Sequence, residues 1–128
     1  MRKNAPRRTQ GMTLLELTVV ILVLLSLISI LFIGARAWKK GSDKAGCIMN
    51  IRSVQQMIRG YQNMNNYQEG HTINMFVIGN EFGLSNIGEC PGGGDYDHAG
   101  SIPPIGELAM TCSLATSHGH VPPSIAGW

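Results

Sequence analysis

The residues richest in chemistry lie in the last third of this 128-residue chain. Cys90 and Cys112 offer two thiols, and His118 and His120 follow closely. These four could hold zinc, although the close C-x2-C pair that makes such a signature strong is missing. Cys112 and His118 could act as a nucleophile and its base, but no third group stands out to orient the histidine. Asp95 and Asp97, in "GGGDYD", could ligate calcium. Two carboxylates in a glycine-rich stretch ordinarily make a polar turn. Gly92-Gly93-Gly94 is no phosphate loop, because no G-K-[ST] follows. Zinc and calcium are thus the only candidate cofactors, and the expectation is a non-enzymatic protein that requires neither.

A second residue stands out for its surroundings. The run "LLELTVVILVLLSLISILFI", Leu14 to Ile33, is broken only by Glu16, Thr18, Ser26 and Ser29. Twenty residues in a helix span roughly 30 Å, enough to cross a bilayer. A carboxylate near the centre of such a span costs about 3 kcal/mol, so charged residues there are rare and usually functional. The run is longer than the roughly 7–15 apolar residues of a secretory signal. Ala35-Arg36-Ala37 nevertheless looks like a small-x-small cleavage site, so a soluble domain released after Ala37 stays open.

Charge is strongly partitioned along the chain. Arg2, Lys3, Arg7 and Arg8 make a basic stub, and Arg36, Lys39, Lys40, Lys44, Arg52 and Arg59 oppose the single acid Asp43. From Tyr67 onward there is no Lys or Arg, only acids. Basic residues flank the apolar run on both sides, so charge counting does not fix its orientation. No basic reading module is visible, and a direct nucleic-acid site is not expected.

The elements that must position these residues follow from periodicity. Cys47, Ile51, Val54, Ile58 and Tyr61 are spaced by four, three, four and three, one apolar stripe on a helix. Arg52, Gln55, Gln56, Arg59 and Gln62 include its polar flank, and Asn63 to Asn66 with Gly70 end it. Unbroken from Thr13 to Met64, that helix would measure about 78 Å, with Gly34, Gly41 and Gly46 as points where it could bend. Trp38 sits where an interfacial aromatic belongs. Cys47 reads as a buried free thiol on the stripe. "TINMFVIGNEF" suits a short helix capped at Thr72, with a strand as the competing reading. Residues near Cys90–Gly100 and Met110–Leu114 suit two short strands around Pro103-Pro104.

The stretch "GMTLLE", Gly11 to Glu16, after a basic leader and before an apolar run, resembles the processing site of type IV prepilins and type II secretion pseudopilins. "CIMNIRSV" (Cys47–Val54) and "CPGGGDY" with "CS" and "GH" further on are similar to segments of short bacterial prepilin-like proteins. The resemblance implies cleavage by a prepilin peptidase between Gly11 and Met12, N-methylation of Met12, and Glu16 as the residue that sets register between subunits. It also implies an inner-membrane assembly platform, identical or related subunits in a helical fibre, a single-pass inner-membrane location and a head in the periplasm. Some pseudopilin heads hold calcium, which keeps Asp95 and Asp97 in view.

With the head in an oxidising compartment, a Cys90–Cys112 disulfide takes precedence over zinc, because a small core gains a few kcal/mol from a staple. The expected fold is α+β and pilin-like. Residues 1–11 form a cleaved cytoplasmic leader, 12–33 a transmembrane and assembly helix, 34–66 an amphipathic stem, and 67–128 a small head with a short helix and a hairpin. The expected function is that of a structural subunit of a type IV pilus-like or pseudopilus fibre. A membrane-anchored metal-binding head is the competing reading.

Overall fold

The computed structural model describes residues 11, 13–83 and 87–128. The fold is α+β: a long helix α1 (Leu14–Asn65), a short helix α2 (Met75–Glu81), strands β1 (Tyr96–His98) and β2 (Met110–Cys112), and a last turn of helix α3 (Ala115–His118). The chain divides into two compact units, Met1–Ala37 and Trp38–Trp128.

In the first unit α1 is apolar all round, and Leu14 through Ile33 leave every large side chain exposed. It is long and apolar enough to cross a membrane. Its three hydroxyls are satisfied within the helix: Thr18 donates to the Leu15 carbonyl, Ser26 to Val23 and Ser29 to Leu25, at 2.7–2.8 Å. Such back-bonding lets a hydroxyl sit on an apolar surface without an unpaired donor. Gly34, Gly41 and Gly46 all lie within α1.

In the second unit the rest of α1 supplies the floor of the core. Cys47, Ile51, Val54 and Ile58 are buried as the stripe requires, joined by Met57, while Tyr61 packs partly buried against them. They meet Ile73, Ile78, Cys90, Ile102, Ala109, Met110 and Cys112 from the head. Gln55, expected on the polar flank, is buried. Its amide explains this, because Nε2 donates to the Glu107 carbonyl at 3.1 Å and Oε1 accepts from the Ala109 N–H at 2.8 Å. A buried amide with both ends paired avoids the desolvation cost of an unpaired one. Arg59 similarly donates to the carbonyls of Pro104 (3.1 Å) and Trp128 (3.0 Å) and to Gln62 Oε1 (2.9 Å).

Asn66 ends α1 with a positive φ of 54°, a conformation asparagine tolerates better than most residues. Residues 75–81 are helical rather than extended, but the cap is Asn74, not Thr72. Asn74 Oδ1 accepts from the N–H groups of Phe76 (3.0 Å) and Val77 (3.4 Å). Thr72 instead forms an antiparallel bridge with Ser101. The helix buries Ile78, whereas Phe76 and Val77 face outward. β1 and β2 pair antiparallel with Tyr96 opposite Cys112, Asp97 opposite Thr111 and His98 opposite Met110.

Candidate functional site

At the start of α1, Thr13 and Glu16 cap each other. The Glu16 N–H donates to Thr13 Oγ1 at 3.3 Å, and Glu16 Oε2 accepts from the Thr13 N–H at 3.0 Å. This is a capping box, Thr-x-x-Glu, which satisfies two donors a helix start otherwise leaves unpaired. A carboxylate in the first turn also complements the helix dipole. The Thr13-to-Glu16 spacing carries this signal in the sequence itself. Gly11 is exposed, while Met12 lies outside the described residues, as does most of the basic leader.

The head gathers a second constellation. The ligand atoms of Cys47, Cys90, Cys112 and His120 all lie within 4.8 Å of one another, and all four residues are buried. Each comes from a different element. Cys47 faces inward from α1 as part of the buried stripe. Cys90 opens a tight turn closed by the Gly93 N–H to the Cys90 carbonyl (2.8 Å) and the Cys90 N–H to the Gly94 carbonyl (3.0 Å). Cys112 ends β2, whose alternation buries Met110 and Cys112 and exposes Thr111. His120 follows Gly119, which caps α3 in the left-handed conformation and so turns the chain back inward.

The contacts within this cluster are close. Cys90 Sγ is 3.2 Å from His120 Nδ1. A Cβ on Gly92 would come within 2.7 Å of His120 Cε1, so the imidazole occupies the space that any other residue at 92 would need. Beside the cluster, Asn50 Nδ2 donates to the Tyr96 hydroxyl at 3.0 Å.

Burial pushes the Cys47 thiol up to about 12, with the nearby Tyr96 hydroxyl acting in the other direction. Burial acts to raise Cys90 too, but the Gly92 N–H, the neighbouring thiols and the Gly94 N–H together bring it below its ordinary value. Burial also lifts the Tyr96 phenol above its usual range. Three sulfurs and an imidazole at this separation can hold a metal ion.

Several expected residues stand differently. Cys90 and Cys112 are free thiols in this structure, as is Cys47. The expected zinc set of Cys90, Cys112, His118 and His120 changes by one ligand. His118 ends α3 on the exposed side, paired with Ser117 Oγ at 2.9 Å, and Cys47 takes its place. The Cys112–His118 pair is likewise not brought together in the cluster. Asp95 and Asp97 are both exposed and lie outside it. The Asp95 backbone is tied to Ser113, whose Oγ accepts from the Asp95 N–H at 3.0 Å.

Cys47 was legible as a buried thiol, and its distance of more than forty residues from Cys90 hid its partners. The available signals were an odd cysteine count and a cysteine on the buried face of the stem. No family model, curated protein or solved structure matches the chain.

Proposed function

We propose that this chain is a structural subunit of a type IV pilus-like or type II secretion pseudopilus fibre. A prepilin peptidase cuts between Gly11 and Met12, Met12 is N-methylated, and the subunit stands in the inner membrane with its head in the periplasm until it enters the fibre. One observation carries the reading: α1 exposes large apolar side chains from Leu14 to Ile33, and a single carboxylate, Glu16, stands at their start.

Such a surface needs lipid around it before assembly and neighbouring helices afterwards. Packed helices remove Glu16 from water, and a buried carboxylate persists when paired with an opposite charge. The amine that cleavage creates at Met12 of a neighbouring subunit supplies that charge. Only one stagger between helices brings the two together, so the pair acts as a register device.

The capping box sharpens the test. Glutamine at position 16 can still cap Thr13, because Gln serves at that position of the motif, but it carries no charge. Glu16→Gln is therefore expected to keep α1 intact and abolish fibre formation, since breaking a buried ion pair costs about 3–5 kcal/mol. Fibres are counted by electron microscopy and shearing. Normal fibres from Glu16→Gln would reduce Glu16 to a helix cap. The mature N-terminus, read by intact mass and sequencing from native membranes, is expected at N-methylated Met12. A start at Met1 or Trp38 overturns the reading in favour of a plain anchor or a released domain.

A further inference from the structure

We propose that Cys47, Cys90, Cys112 and His120 form a structural Zn2+ site that ties α1 to the turn at Cys90, to β2 and to the segment after α3. The inference stands apart from the fibre reading and concerns the second unit alone.

Geometry comes first. A tetrahedral zinc with bonds of about 2.3 Å to sulfur and 2.0–2.1 Å to nitrogen places its ligand atoms roughly 3.5–3.8 Å apart. Here every pair is within 4.8 Å, and Cys90 Sγ and His120 Nδ1 are already 3.2 Å apart. Small side-chain rotations therefore complete the tetrahedron.

The donor set selects the ion. Three sulfurs and one imidazole favour zinc over hard cations such as calcium or magnesium, which take oxygen ligands. Relative exposures of 0% for Cys47, 3% for Cys90, 5% for Cys112 and 4% for His120 leave the site closed to solvent. Four protein ligands and no open position are the mark of a structural rather than a catalytic zinc.

The surroundings fit as well. Binding replaces three thiol protons with one dication, so three protons leave and the loaded site carries one net negative charge. Lys44 Nζ lies beside Gly119, next to His120, where an added Cβ would sit 3.2 Å from it. Lys44 itself lies about one helical turn before Cys47 on α1. The Cys90 backbone is held in its turn by the Gly93 N–H to the Cys90 carbonyl (2.8 Å) and the Cys90 N–H to the Gly94 carbonyl (3.0 Å). Hydrogen bonds of this kind orient first ligands and hold them in place. A Cys90–Cys112 disulfide, by contrast, leaves Cys47 and His120 buried beside it with no shared role.

The full chain, purified in detergent without chelator and kept reduced, is expected to carry one zinc per chain by elemental analysis. Cys47→Ser and His120→Ala are expected to lose it, and His118→Ala to retain it in full. Cobalt put in place of zinc in the unaltered chain reads the ligands without any substitution: sulfur-to-cobalt absorption of three-thiolate strength supports the site. The proposal is overturned by an unaltered, reduced chain that takes up less than one zinc from excess metal, by a cobalt spectrum of two thiolates or fewer, or by full zinc retention in Cys47→Ser. A Cys90–Cys112 disulfide in metal-free protein taken from native membranes also overturns it.

Discussion

At the scale of single residues, the head is controlled by how closely groups approach His120. Gly92 is the sharpest case, because a methyl group there would sit 2.7 Å from His120 Cε1. Gly92→Ala is expected to push the ring off its seat and destabilise the head by about 1–3 kcal/mol, the usual cost of overpacking. The lowered midpoint in urea denaturation of the detergent-solubilised chain checks this. Gln55 is the complementary case, where removal rather than addition does harm. Its carboxamide pairs with Glu107 and Ala109, and Gln55→Leu fills similar space but leaves the Ala109 N–H and the Glu107 carbonyl without that partner. A loss of about 1–3 kcal/mol, from the buried Ala109 N–H left unpaired, is expected in the same measurement.

At the scale of elements, α2 and the hairpin are short, and their ends matter more than their middles. α2 has seven residues, too few to hold as a helix without tertiary contacts. It depends on the Asn74 cap and on Ile78 against the core. Asn74→Ala is expected to cost about 1 kcal/mol and to raise amide exchange at Phe76 and Val77 first. Three-residue strands such as β1 and β2 are marginal as an isolated pair. Their inner face is held by Cys112 and Met110 against α1, so the hairpin's stability comes from the stem rather than from its own ladder.

For the molecule as a whole, each unit meets a different need. The first unit presents apolar helix that water does not tolerate, and the second is a small core built on one helix face. A core of this size gains from a staple, and metal bound only by the folded form stabilises it by mass action. Zinc removal by a strong chelator is therefore expected to lower the thermal midpoint of the head by several degrees. α1 from Leu14 to Ile33 should stay helical in lipid, since its hydrogen bonds are internal. Circular dichroism of the reconstituted chain, before and after chelation and after zinc return, separates the two. Equal loss from both units would contradict the division.

Local pattern by itself determined much of this protein. The step of four and three from Cys47 to Ile58 placed the buried stripe, and the apolar run placed the exposed helix, because both are helical periodicities read within a few turns. The asparagines after Tyr61 marked where α1 stops. The approximate positions of β1 and β2 followed from turn residues on either side. Glu16 was visible as an anomaly, and its capping partner Thr13 lies only three residues away. The tertiary structure alone decided which thiols meet. Cys47 and Cys90 come together only when the head folds onto α1, and no spacing in the sequence encodes that distance. It likewise chose His120 over His118, because the left-handed turn at Gly119 sends one ring inward and leaves the other exposed. Gln55 crossed from the polar flank to the core for the same reason: the two backbone groups that satisfy its amide are more than fifty residues away and are supplied by the fold.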